Sequence, residues 1–222
     1  MKSNTKTIYS LAALVAWVGT LLSLIATAFN ISPSKDVYPH LFGTYPSGAI
    51  SIIPRTFDWL CYFTEWSNIA MAISFTLIAR NGFTNKNRDK FIHHISLVMM
   101  TVTLIVNYFL LASKEHPQGI NVISNLLEHY LTPLVGILLF IFIYPRKEWK
   151  FKTTSEVFYV AIAYIALTFI KGAITHRYPY GFMDVVQYGY IKVLITTVFI
   201  LIFAWILGLI FFGIDKVLPG KK

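Results

Sequence analysis

One cysteine in 222 residues, Cys61, leaves no partner for an internal disulfide and excludes a disulfide-stapled scaffold. Charge is scarce as well. Asp, Glu, Lys and Arg make up 13% of the chain, where an average soluble protein carries about 25%, so an ordinary soluble domain is excluded. Neither a GxSxG elbow nor an HExxH pair occurs, which removes the usual signatures of a serine hydrolase and a zinc protease. No internal repeat, low-complexity segment or composition break divides the chain, so residues 1–222 read as one domain.

What is abundant is apolar sequence, 56% of residues, gathered into long uncharged blocks. A helix needs about 20 apolar residues to cross a bilayer. Runs at about 8–30, 59–79, 95–112, 123–144, 157–175 and 190–213 meet or approach that length, and none has the sustained alternation of a lipid-facing strand. The fold class predicted is therefore all-α, a polytopic bundle of six transmembrane helices. The first run follows Lys2 and Lys6 and precedes Ala26-Thr27-Ala28, but it is too long for the apolar core of a signal peptide and reads as a span.

Basic residues orient the bundle. Lys2, Lys6, Arg80, Lys86, Arg88, Lys90, Arg146, Lys147, Lys150, Lys152, Lys216, Lys221 and Lys222 fall on one side. Lys35, Arg55, Lys114 and Arg177 fall on the other, with Lys171 and Lys192 just inside helix ends. Positive charge concentrates on the cytoplasmic side, which puts both termini in the cytoplasm of a multi-pass plasma-membrane protein. The net charge of +9 is thus a topology signal facing anionic lipid, and no nucleic-acid partner is expected. Arg146-Lys147-Glu148-Trp149-Lys150 reads as a solvated cluster of this kind. The connection at 31–56 is the one long loop; with Pro33, Pro39, Pro46 and Pro54 among Tyr38, Phe42 and Tyr45, it reads as a stiff outer cover.

Ionisable and amide side chains within a span are costly and point to function. Counting inward at 1.5 Å per residue, Thr64, Glu65, Ser67 and Asn68 lie roughly 10 to 17 Å below the outer surface. Asn125, Glu128 and His129 reach a similar level on the fourth span, and Asn107, Lys171 and Lys192 approach it from three others. The opposite halves, such as 71–79, 136–143 and 197–212, carry no charge. This distribution implies a polar chamber opening outward above an apolar floor.

A hydroxyl near an imidazole is the pairing that acyl transfer requires, because threonine is unreactive at neutral pH until a base removes its proton. Thr64 is the candidate nucleophile and His129 the base. Asn68, Asn107 or Lys171 would stabilise the oxyanion, and Ser67, Asn125, Glu65 and Glu128 would line the chamber. Pro133, four residues after His129, deprives the His129 carbonyl of its helical partner and predicts a bend there. The same polar layer is compatible with interhelical glue, or with ion pairs joining Glu65 and Glu128 to Lys171 and Lys192 as a transporter would use. His129 and His176 with Glu128 or Asp184 lack any recognised zinc spacing, Cys61 reads as packing, and His93-His94 is expected at an interface near the far end of the third span.

The stretches Tyr62-Phe63-Thr64-Glu65-Trp66-Ser67-Asn68, Asn125-Leu126-Leu127-Glu128-His129-Tyr130-Leu131-Thr132-Pro133 and Tyr178-Pro179-Tyr180-Gly181-Phe182-Met183-Asp184 resemble, in order and spacing, a bacterial family of uncharacterised six-span membrane proteins. That family is distantly similar to the androgen-induced-gene type of membrane hydrolases, which cleave fatty acid esters of hydroxy fatty acids. The resemblance covers nearly the whole chain. It implies Thr64 as nucleophile, His129 before Pro133 as the catalytic histidine, and Tyr178, Tyr180 and Asp184 at the chamber mouth. Glu65-Trp66-Ser67-Asn68 departs from the mostly apolar run of the hydrolases and makes Ser67 a competing nucleophile. The expected activity is hydrolysis of a membrane fatty-acyl ester without metal or organic cofactor; non-catalytic binding or transport of a lipid or small amphiphile is the alternative.

Overall fold

A computed structural model describes residues 3–31, 40–42, 45–46 and 48–219. Lys2, Lys35, Lys221 and Lys222 of the charge count, and Pro33, Tyr38 and Pro39 of the expected cover, lie outside these residues. The described chain is helical, with no strand among the described residues. Its long helices are α1 (Ser3–Ala28), α3 (Phe63–Asn81), α4 (Asn87–Leu111), α5 (Ile120–Phe142), α6 (Phe151–Thr175) and α7 (Val185–Val217), and a short helix, α2 (Ile52–Trp59), precedes α3. By length and composition α1, α4, α5, α6 and α7 can each cross a bilayer, which marks the chain as a membrane protein. α3 has 19 residues and includes Glu65 and Arg80.

Helix ends depart from the apolar runs where polar residues continue a helix. α4 begins at Asn87, ahead of the expected 95, because Arg88, Asp89 and Lys90 form its first turns. α6 begins at Phe151 for the same reason. The second span was expected from 59 to 79 after a loop ending at 56; instead Ile52–Trp59 is a separate helix, and a turn at Leu60–Tyr62 leads into α3. Pro54 is tolerated because it sits in the first turn of α2, where its missing N–H has no helical partner to lose. Arg55 fixes this unit, donating from Nε to the Ala28 carbonyl at 2.9 Å and from its terminal nitrogens to the Pro46 and Gly48 carbonyls.

α1 packs most extensively on α3, and it carries a stripe of small residues, Ala12, Ala16, Gly19, Ser23 and Ala26, of which Gly19 lies against Leu127 and Glu128 of α5, where a Cβ would stand 3.0 Å from Leu127 Cβ. The end of the bundle away from Thr64 is an aromatic core of Tyr9, Phe75, Phe140, Tyr144, Trp149 and Phe211. Two expectations are corrected here. Trp149 is buried among these rings, held by a backbone N–H donated to Asp215 at 3.1 Å, so its cluster is only partly solvated. His93 and His94 are core residues, stacked on Tyr144 and Trp149 with centroids 4.2 Å apart in each case, and His93 Nδ1 pairs with Ser74 Oγ at 2.8 Å.

At the Thr64 end, residues 40–42 run beside the segment linking α6 to α7. Phe42 N–H donates to the Tyr178 carbonyl and Tyr178 N–H to the His40 carbonyl, at 3.1 and 2.8 Å. Asp184 fixes the end of this segment, accepting from the Gln187 backbone at the start of α7 and pairing with His40 Nδ1 at 2.8 Å. Gly189 (φ 74°) breaks α7 after its first turn, a backbone conformation that favours glycine. Gly172 lets Tyr178 lie against α6: a Cβ there would stand 2.1 Å from the Tyr178 ring. Gly172→Ala is therefore expected to cost about 1–3 kcal/mol through overpacking, read as a lowered apparent Tm in detergent.

Candidate functional site

Two wide turns set the level of the site. Residues Asn107–Leu111 of α4 and Leu127–Leu131 of α5 adopt π-helical hydrogen bonding, with the Ala112 amide donating to the Asn107 carbonyl at 2.8 Å. The second ends just before Pro133. The proline has no N–H for the His129 carbonyl, and the chain responds with a widened turn immediately before it. Asn107, Glu128 and His129 all project from these two turns.

His129 Nε2 lies 3.3 Å from Thr64 Oγ. Nδ1 is buried and faces the Asn125 backbone without a well-formed hydrogen bond. The third member is Tyr180, whose hydroxyl accepts from the Thr64 backbone N–H at 3.1 Å and sits 3.2 Å from Thr64 Oγ. Its ring stacks on Phe182 and meets Tyr62 edge-on. Burial pushes the Tyr180 phenol well above its ordinary pKa, so at neutral pH it remains a proton-bearing hydroxyl. Tyr180 was expected at the mouth; it stands instead beside the candidate nucleophile. Tyr178 and Asp184 line neither cavity and act by holding the segment that delivers Tyr180.

Two cavities meet at this trio. One is an apolar slot of about 80 Å³ between α4, α6 and α7, walled by residues such as Met99, Val102, Ala161 and Ala204, with Ile165, Ile200 and Leu201 only half-buried. The other is a polar vestibule of about 320 Å³ that includes Ser23, Glu65, Asn125 and Glu128, with exposed Lys114, Glu115 and His116. Thr64, His129, Tyr180 and Leu111 are the residues common to both walls. An atom reacting at Thr64 thus has an apolar space on one side and a polar space on the other.

The remaining candidates are distributed differently from expectation. Ser67 is buried, donates to the Thr64 carbonyl at 2.8 Å, contacts Thr103 Oγ at 2.8 Å, and lines neither cavity. Asn68 spends its amide N–H groups on the carbonyls of Thr64 and Glu128, which ties α3 to α5 and leaves no donor for an oxyanion. Asn107 lines the slot and donates to Tyr130 Oη at 3.1 Å. Lys192 is turned outward over the Tyr188 ring.

Lys171 belongs to another cluster. It pairs with Asp58, lies 3.2 Å from Cys61 Sγ, and sits 3.8 Å from the centre of the Phe42 ring. The expected pairing of Lys171 and Lys192 with Glu65 and Glu128 is therefore not found. Burial pushes the Cys61 thiol up even against the neighbouring ammonium, and Asp58 also accepts from Tyr45, whose phenol is pushed up to about 12. Removing one partner of a buried ion pair typically costs about 3–5 kcal/mol. Lys171→Met is accordingly expected to lower thermal stability strongly in detergent, with partial recovery in the Asp58→Asn/Lys171→Met double variant.

Sequence reasoning missed Ser23 as a site member, and it placed Tyr180 at the chamber mouth without its contact with Thr64. Ser23 donates to Glu65 Oε1 at 3.0 Å and accepts from Trp59 Nε1 at 2.9 Å; a lone serine in the first apolar run gave little signal, although it shares the small-residue stripe. Among the described residues no three His, Cys, Asp or Glu side chains are grouped to hold a metal ion. In comparison with known proteins, no family model, no curated protein and no solved structure matches the chain.

Proposed function

We propose that the chain is a six-span plasma-membrane protein, both termini cytoplasmic, that hydrolyses fatty-acyl esters of membrane lipids with Thr64 as nucleophile and His129 as general base. The observation that carries this reading is the 3.3 Å approach of Thr64 Oγ to His129 Nε2 on the wall shared by an apolar slot and a polar vestibule. Hydrolysis of a lipid ester needs an apolar place for the acyl chain and water at the same carbonyl carbon, and this wall has both kinds of space beside it.

In the proposed reaction Thr64 Oγ adds to the ester carbonyl carbon while His129 Nε2 takes its proton. The oxyanion accepts a hydrogen bond from the Tyr180 hydroxyl. As the carbon–alkoxy bond breaks, His129 returns the proton to the leaving alcohol, which departs through the vestibule. Water then adds to the acyl–threonine carbonyl, its proton passing by His129 to Thr64 Oγ as the fatty acid leaves. The half-buried wall between α6 and α7 gives the acyl chain a route toward the bilayer.

An acyl-directed serine/threonine hydrolase probe tests this. Wild type and Ser67→Ala are expected to be labelled, with the adduct on Thr64, and Thr64→Ala and His129→Ala to be blank. Equal labelling of all four overturns the hydrolase and leaves the non-catalytic binding or transport of an amphiphile.

A further inference from the structure

We propose that Glu65 and Glu128, joined through one shared proton, are positioning residues that set the distance between Thr64 and His129. This rests on the hydrolase reading and adds to it the device that holds nucleophile and base together. Each acid is the chain neighbour of a reacting residue: Thr64 and Glu65 are consecutive on α3, as Glu128 and His129 are on α5. A tie between the two carboxyls is therefore a tie between the two backbones that carry the reaction.

The carboxyls are buried and within hydrogen-bonding reach of each other. None of the ion pairs among the described residues includes either one. Two ionised carboxylates cannot rest in contact inside a bundle without a cation between them, so the pair holds one proton, and the oxygen that carries it donates to the other acid. Other helices converge on this bond. Trp59 Nε1 donates to Ser23 Oγ at 2.9 Å and Ser23 Oγ donates to Glu65 Oε1 at 3.0 Å, which extends the tie to α2 and α1. Gly19, one turn before Ser23, lets α1 lie against the widened turn of α5: a Cβ there would stand 3.3 Å from Glu128 Cγ.

The widened turn needs such support. Pro133 leaves the His129 carbonyl without its helical N–H, and Leu127–Leu131 has the hydrogen bonding of a π turn in place of regular helix. Asn68 attaches this turn to α3 through the Thr64 and Glu128 carbonyls. The acid pair is a second attachment, and two points fix a rotation of the turn that one leaves free. A displacement of about 1 Å at a reacting group can cost about 10²-fold in rate, so the pair acts on the rate through Thr64 and His129 without touching substrate.

Steady-state hydrolysis of a short p-nitrophenyl ester in detergent, with thermal unfolding alongside, tests the pair. Glu65→Gln and Glu128→Gln each keep a donor and an acceptor across it and are expected to hold kcat within about threefold of wild type. Glu65→Leu/Glu128→Leu replaces the tie with apolar volume, an exchange that buried polar pairs tolerate in stability. It is expected to unfold near the wild-type temperature, to lower kcat by at least about tenfold and to leave KM within about twofold. A kcat within about threefold of wild type in this double variant reduces the acids to packing and overturns the inference. Glutamine variants as slow as the double variant also overturn it, because the tie would then not be a hydrogen bond. Should the double variant not fold, Glu65→Asp decides: one methylene shorter, it must lower kcat by at least about fivefold with KM unchanged, and a wild-type kcat overturns the assignment. Each of these reversals leaves the hydrolase standing, whereas failure of wild type to hydrolyse the ester overturns the hydrolase and the positioning role with it.

Discussion

His129→Ala and Thr64→Ala are each expected to lower ester hydrolysis by about 10³-fold, and the double variant to be no worse than either single one. Positioned general-base catalysis contributes about 10²–10⁴-fold, and groups that act as one unit do not add. The structural ground is the single contact between them: Thr64 Oγ and His129 Nε2 are 3.3 Å apart, on different helices, with Asn68 tying those helices together through the Thr64 and Glu128 carbonyls. Steady-state rates on a soluble short-chain ester in detergent measure all three variants, with thermal unfolding as the control for folding. A double variant slower than the singles by a further factor of about 10² would mean that the two residues act independently, and the nucleophile–base pair would then be the wrong description.

Tyr180→Phe should reduce kcat by about 10²-fold, the usual cost of losing one oxyanion donor, while KM for a short ester changes little. The hydroxyl accepts from the Thr64 amide and lies 3.2 Å from Thr64 Oγ, and burial keeps it protonated. The phenylalanine ring retains the stacking on Phe182 and the edge contact with Tyr62, so the loss falls on chemistry rather than on the fold. A fall of less than about twofold would reduce Tyr180 to a packing residue beside the nucleophile, because a donor aimed at developing charge is worth far more than that.

The long helices were legible because apolar runs of bilayer length have few other uses. Their ends were less so: Arg88 to Lys90 begin α4 although nothing apolar marks them, and α2 was hidden in what reads as a proline-bearing loop. Depth was legible too, since it follows from counting residues along a helix. Facing was not. Lys171 lies near the expected level but points to Asp58 on α2, and Ser67, one turn from Thr64, points to Thr103. Tyr180 was named at the chamber mouth, but its place beside Thr64 could be found only through tertiary structure, because its position depends on residues 40–42 pairing with Tyr178 and on the missing side chain at Gly172.

The widened turn at Leu127–Leu131 has a bearing on how this protein tolerates change in length. A π turn holds one residue more than an α turn, and each residue advances a helix by about 100°. Deleting a single residue there would relax the turn to ordinary α geometry, and because the shorter turn covers the same rotation, the halves of α5 on either side would keep their facing and their packing. The same deletion two turns later, in regular α-helix, would turn the two halves of α5 against each other by about 100°. Shortening the chain by one position thus becomes an azimuth gauge, reporting how narrowly the bundle meters rotation at this level.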